Sequence, residues 1–485
     1  MRVLFTHSYF LRYDPKQWAT MQPYAPLGTI FAAAWLRQHG YDVRLHDVMF
    51  ATGPETIQPV LEEYRPDFLV IYDDGFNYLT KMCLTNMREA AFKMSEMAKG
   101  YGCKVIVSSS DSTDHFDMYL DHNADYVIIG EAEQTLLELV NALKAGKDNN
   151  TDIPGLATRI DGHTVHTGKR PVMNDLDSLP LPAWDLVNVK EYQKAWRNSH
   201  GYFSINIGTT RGCPFKCNWC AKPIYGNRYN ARSPENVVEE LMLLQKNYGF
   251  DHVWFCDDIF GLKPGWVKRF AELVQEKVLQ FKFKIQSRAD LLLKDEQIIP
   301  LAAAGCDNVW MGAESGSQKI LDAMDKGTTI EQIEEATRIL KKHGIHPAYF
   351  LQFGYPGETI ADINMTLQLV KRNMPDDIGI SVSYPLPGTK FFENVKSQLN
   401  GKANWTDSDE LALMFRNTYE PEFYKQLHRY VHAYYRRLRA QHQVSTNEKK
   451  GLDKLKTFMK LPYYSWQAST ELKKLNDIQP LSVEH

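Results

Sequence analysis

The 485-residue chain has no excess of basic charge: 56 Lys and Arg stand against 59 Asp and Glu, a formal net charge of −3. With a pI near 6.6, this balance leaves no electrostatic footprint for nucleic acid or for an anionic membrane surface, and no nucleic-acid partner is expected. No apolar run approaches the roughly 20 residues that cross a bilayer, so no membrane span is expected. The opening MRVLFTHSYF lacks a basic region, a long apolar stretch and a small-residue cleavage site. No signal peptide is therefore read, and a cytoplasmic location is the expectation. Cysteine is sparse and odd in number, at seven. In a reducing compartment such residues read as thiols, metal ligands or core residues rather than disulfides. Fixed-period repeats and low-complexity tracts are absent, which excludes solenoids and linker-like chains. What remains is ordinary globular composition, 44% hydrophobic and 24% charged, over a length that argues for two or three domains.

Residues 1–145 alternate short apolar strands with helices: MRVLFTH, LGTIFAAAWLRQHG, YDVRLHD, DFLVIYDD, a long helix from about Leu79, CKVIVSSS and ADYVIIGE. This pattern predicts a doubly wound, Rossmann-like parallel sheet with its ligand crevice at the C-terminal strand ends, lined by the loops after His7, Asp73 and Ser108. Residues 146–200 read as a linker with a small hairpin at Asp161-Gly162. From 201 to 400 a second series of about six βα units suggests a partial (β/α)6 barrel. Ser233-Pro234 opens one of its helices and Gly344 closes another. Residues 401–485 read as a small helical region, most regular at RYVHAYYRRLRAQ, with a polar tail expected to fray. Its Tyr424, Tyr430, Tyr434 and Tyr435, with His428 and His432, either close a pocket or dock an amphipathic helix.

Three cysteines stand apart. Cys213, Cys217 and Cys220 lie in RGCPFKCNWC, directly after the first strand of the second series. A structural zinc site wants four protein ligands, and no fourth Cys or His follows at the usual spacing. Three thiolates on a cubane instead leave one iron open, and a molecule with an amine and a carboxylate can chelate it. Cys83, Cys103 and Cys306 read as small core residues. Strand alternation allows only one of Cys256 and Asp257 to face inward.

This CxxxCxxC after the first strand of a partial barrel resembles the radical S-adenosylmethionine (SAM) superfamily. The resemblance implies a [4Fe–4S] cluster on the three cysteines, with SAM at the open iron. It further implies that Asp257 and Asp258, ending HVWFCDD, meet the SAM amino group, and that Arg288 in QSRAD meets its carboxylate. Glu314 and Ser315 of GAESGS and Gly354 of LQFGYPGET complete the implied SAM site. An electron donor such as flavodoxin or ferredoxin, and a small-molecule substrate, follow from the same resemblance.

The first domain is similar to the cobalamin-binding domain of one branch of that superfamily. The similarity rests on Ala25-Pro26-Leu27-Gly28 and on ADYVIIGEAEQTLLEL, whose Gly130, Glu131 and Glu133 keep a GEGE-type turn. It implies cobalamin near Pro26, Leu27, Gly28, Asp73, Ser108, Ser109, Gly130 and Glu131. No Asp-x-His-x-x-Gly supplies a lower cobalt ligand, which leaves His7 as a possible substitute or a satisfied loop histidine. Ser108-Ser109-Ser110-Asp111 stands where the branch has a glycine pair. No GxGxxG follows the first strand, which counts against a dinucleotide. The implied activity is cobalamin-dependent methyl transfer to an unactivated carbon; the alternatives are a cobalamin-dependent cyclase or rearrangement enzyme and a non-catalytic cobalamin sensor.

Overall fold

A computed structural model describes residues 1–73, 75–76, 84–147, 150–294, 297–399, 404–446 and 448–479. Cys83, the expected helix start at Leu79 and the last residues of the tail, 480–485, lie outside them.

The chain forms two compact units. The first comprises Met1–Pro214, Ala221–Phe283 and Asn404–Glu410. Its strands are β1 (Arg2–Thr6), β2 (Asp42–His46), β3 (Phe68–Tyr72), β4 (Lys104–Ser108), β5 (Tyr126–Ile128), β6 (Leu156–Ile160) and β7 (His163–His166), which form one sheet in the order β2-β1-β3-β4-β5-β6-β7. The first five are parallel, with Val3 opposite Val43 and Phe68. Alternation along each strand feeds two cores. Leu4, Leu69, Ile71, Val105 and Val107 pack on one face against Met94 and Ala98 of the helix Thr85–Gly100. Val3, Phe5, Phe68, Val70 and Ile106 pack on the other against Ala32, Ala33 and Leu36 of the helix Leu27–Gln38. All five residues of β3 are buried, as a strand covered on both faces requires. The expected doubly wound sheet is what the chain builds.

One part of the expected linker belongs elsewhere. The Asp161-Gly162 hairpin forms, but β6 pairs antiparallel with β5, so the hairpin extends the first sheet. The exposed backbone edge of β5 is thereby paired. Residues 404–410, expected with the C-terminal region, also join this unit: Trp405 O accepts from Thr85 N at 2.9 Å, and Ser408 Oγ donates to Asp14 at 2.8 Å.

A second, six-stranded sheet supplies the partial barrel. Its strands are β8 (Ser204–Ile207), β11 (His252–Phe255), β12 (Lys282–Ser287), β13 (Cys306–Glu314), β14 (His346–Phe353) and β15 (Asp377–Val382), ordered as expected from the sequence. A small ribbon of β9 (Thr210–Arg211) and β10 (Asn230–Ala231) flanks the cysteine segment. Ser233 caps the helix Pro234–Asn247 through Asn236 N, and Gly344, at φ +73°, follows the helix Ile330–Lys342. The second unit, Phe215–Cys220, Lys284–Ala403 and Leu411–His485, holds β13 to β15 and two long helices, Pro421–Ser445 and Gly451–Ile478. Tyr424, Tyr430, Tyr434 and Tyr435 are buried there, with the Tyr435 hydroxyl donating to Pro375 O at 2.9 Å. The docking-helix reading of these tyrosines is the one realised.

Candidate functional site

In the first unit, the segment leading to Cys213 is fixed by buried charge. Asp257 is 1% exposed. Its Oδ1 accepts from Thr209 N at 2.7 Å and Thr210 N at 2.9 Å, and its Oδ2 accepts from the Thr209 hydroxyl. Burial pushes this carboxyl up to about 6, against those hydrogen bonds. Asp257 thus ties the end of β11 to the turn after β8, while the adjacent Asp258 is half-buried. Arg211, two residues before Cys213, donates to Glu133 at 2.6 Å and also to Glu131. All three side chains are sealed from water. Gly212 has φ +78°, and a Cβ there would sit 2.4 Å from Arg228 O, so the RGC step admits only glycine.

At the C-terminal edge of the first sheet, Asp73 receives Ser8 N at 2.6 Å and Ser8 Oγ at 2.8 Å. Ser109 and Ser112 cap each other reciprocally at the start of a short helix, and Gly130 N donates to Thr113 Oγ1 at 3.2 Å. The buried Ser110 hydroxyl beside them has no protein hydrogen-bond partner. Ser108, Ser109, Asp73, Gly130 and Glu131 end or follow strands β3 to β5 at this edge, and Pro26, Leu27 and Gly28 open the helix Leu27–Gln38. His7 is engaged: its Nε2 lies 2.9 Å from Asp47 Oδ1 and 3.2 Å from Val48 N.

In the second unit, Cys217 and Cys220 sit half-exposed on a turn closed by Cys220 N donating to Cys217 O. Arg288 stacks on Phe215 at 3.8 Å from the ring centroid, points Nη1 at Cys217 Sγ at 3.8 Å, and donates to Asp290 and to Lys326 O. Lys326 Nζ pairs with Glu314 at 2.7 Å. Burial works against this ammonium, but Glu314 and the Cys217 sulfur raise its pKa, so it stays charged. Glu314 adopts φ +58°, a left-handed conformation rare outside glycine. Ser315 Oγ accepts from Ser317 N at 3.1 Å and meets Thr366 Oγ1 at 3.2 Å. Gly354, at φ +75°, donates N–H to Glu358 Oε2 at 2.7 Å, and a Cβ there would press on Tyr424 at 3.2 Å. Two cations and a thiol therefore share one small neighbourhood.

Among the described residues, no three His, Cys, Asp or Glu side chains gather into a single-ion cage. A cubane makes no such demand, because each thiolate binds a different iron. Cys103, Cys256 and Cys306 are buried, as core residues should be.

Residues 207–370 match the model of the radical SAM superfamily. That segment is a radical SAM domain. That domain encloses Cys213, Cys217, Cys220, Asp257, Asp258, Arg288, Glu314, Ser315 and Gly354, and its interior also includes two residues the sequence did not single out, Arg211 and Lys326. An uncharacterised methyltransferase of Pyrococcus horikoshii is 27% identical over 391 residues, covering 78% of this chain and 80% of that protein. The hopanoid C-3 methylase of Methylococcus capsulatus is 24% identical over 83% of this chain and 75% of its own. An anaerobic magnesium-protoporphyrin IX monomethyl ester cyclase of Rubrivivax gelatinosus is 29% identical over 277 residues, 56% of this chain but only 49% of that protein. Among solved structures, the cobalamin-dependent SAM radical enzyme OxsB superposes with a TM-score of 0.75 at 16% identity, over 99% of this chain and 73% of OxsB. The methyltransferase TsrM from Kitasatospora setae gives 0.68 at 20% identity, over 82% and 78%. These superpositions establish the architecture: a Rossmann-like sheet, a partial radical SAM barrel and a helical C-terminal region.

Proposed function

We propose that this radical SAM enzyme C-methylates an unactivated carbon of a small molecule. Cys213, Cys217 and Cys220 hold a [4Fe–4S] cluster, SAM binds its open iron, and cobalamin lies at the C-terminal edge of the first sheet. The observation that carries the reading is one chain in which a five-strand parallel sheet with a serine-rich edge precedes a thiolate loop attended by Arg288 and Lys326. The donor set fits the groups: three thiols outside any disulfide, guanidinium and ammonium charge near a thiolate, and an orphaned Ser110 hydroxyl where a polar cofactor edge can be met. When bound, cluster and SAM supply hydrogen-atom abstraction and cobalamin supplies a methyl group.

The protein's own residues orient and insulate. Asp257 and Arg211 fix the approach to Cys213, Arg288 and Lys326 offset thiolate charge at Cys217, and Glu131 anchors the turn that follows β5. His7 Nε2 is held by Asp47 and Val48 N. The cyclase relative supports a second reading, radical cyclisation or rearrangement without methyl transfer. A sensor has no use for the thiolate loop.

The test is anaerobic reconstitution with iron, sulfide and cobalamin, a flavodoxin or chemical reductant, methyl-deuterated SAM and a small-molecule extract. A methylase accumulates both S-adenosylhomocysteine and 5′-deoxyadenosine and delivers label to a product carbon. Product with 5′-deoxyadenosine alone favours cyclisation. Retained iron–sulfur absorbance in all three Cys→Ala variants removes the cluster assignment itself.

A further inference from the structure

The helix Gly451–Ile478 has two apolar faces, and the chain covers one. At about 100° per residue, Thr457, Leu461, Tyr464, Ala468 and Leu475 share a side. Of these Thr457, Ala468 and Leu475 are buried, and Gln426 of the helix Pro421–Ser445 donates to Glu471 O at 3.0 Å beside them. The opposite side carries Leu452, Leu455, Met459, Tyr463 and Trp466 in a helical stripe. These side chains face solvent: Leu452 is 74% exposed, Met459 71% and Trp466 64%. Single exposed apolar residues are ordinary, but a contiguous stripe marks an interaction face.

Charge identifies the occupant. From Arg436 to Lys460 the sequence has eight Lys and Arg against two acidic residues, in a chain whose formal charge is −3. Arg436, Arg439, Lys449, Lys456 and Lys460 line a cleft of about 350 Å³ along the same helix, with Asp453. Arg439 is held by Asp376 and Glu448, while the lysines lie on long stems flanking the stripe.

We infer that this helix is a peripheral membrane anchor that lays its open apolar face into an anionic lipid surface. Acyl chains satisfy the stripe and lipid phosphates satisfy the lysines, whose stems can snorkel to the headgroups. Trp466 and Tyr463 have the amphipathic rings that favour the interface. The overall acidity of the sequence conceals this local surface, because the basic residues are concentrated in one stretch. The inference is independent of the reaction the radical site performs.

The test is flotation of the full-length protein with phosphatidylcholine vesicles, with and without phosphatidylglycerol. Binding is expected with phosphatidylglycerol and weak without it. Lys456→Glu with Lys460→Glu should weaken it about tenfold or more, and Met459→Glu with Trp466→Glu should abolish it. Iron content and circular dichroism should be unchanged, since all four residues are exposed. Absence of flotation overturns the inference. So does equal binding to both vesicle types, which removes the role of charge. A concentration-dependent dimer by light scattering, lost in the Met459/Trp466 variant and unaccompanied by vesicle binding, would assign the face to a second copy and overturn it as well. Retention by an immobilised acidic peptide without flotation would assign it to a protein partner, with the same consequence.

Discussion

Lys326 Nζ lies 2.7 Å from Glu314 Oε1, with the two side chains 7% and 5% exposed. Such a pair contributes little net stability when intact, yet removing one member strands a buried charge. Glu314→Gln is therefore expected to lower unfolding free energy by roughly 3–5 kcal/mol, measured by denaturant titration of the protein before reconstitution. If Glu314 served only to touch SAM, stability would be unchanged and only SAM affinity would fall.

Arg211 answers two buried carboxylates with one guanidinium. Arg211→Met leaves Glu131 and Glu133 facing each other and should destabilise the first unit by about 3–5 kcal/mol, whereas adding Glu131→Gln and Glu133→Gln should recover most of the loss. Thermal unfolding of the single and triple variants checks both halves. A triple variant as unstable as the single one would mean that Arg211 matters for packing rather than charge.

Glu358 gives the fold a pH dependence. Burial, the largest influence, pushes its carboxyl up to about 8, despite the hydrogen bond from Gly354 N. The folded state thus keeps a proton that the unfolded chain releases near the ordinary value of about 4.3. Fewer protons are bound in the unfolded state between those values, so stability from this group is full at low pH and is lost as pH rises through about 8. Glu358→Gln keeps an acceptor for Gly354 N and removes the titration. Its stability advantage over the parent should grow by roughly 4 kcal/mol between about pH 5 and about pH 9. Parallel pH profiles of the two proteins would refute this.

Arg288 bears on the proposed cluster through its 3.8 Å approach to Cys217 Sγ. Positive charge beside a thiolate favours the reduced cluster, so Arg288→Met should move the reduction potential negative by on the order of tens of millivolts. Redox titration followed by electron paramagnetic resonance reads this directly. Arg288→Lys should retain part of the shift if charge is the cause, but not if bidentate positioning is.

Local signals made much of this protein legible in its sequence. Period-two apolar strands, the Ser233-Pro234 helix start, the Asp161-Gly162 turn and the CxxxCxxC spacing all act within a few residues, where backbone geometry and covalent reach suffice. Tertiary structure alone decided which partners those residues take. Arg211 meets Glu133 across 78 positions and Arg288 meets Cys217 across 71, because sheet order, not sequence distance, sets what lies at each strand end. Lys326 left no signal, since a lysine in a loop reads as solvated until burial beside Glu314 gives it a purpose. The hairpin became part of the first sheet because β5 offered an unpaired edge. The helix Gly451–Ile478 is the clearest division: residues 401–485 read as helical from the sequence, but which apolar face is covered depends on where the neighbouring helix packs, and burial is a property of the assembled chain.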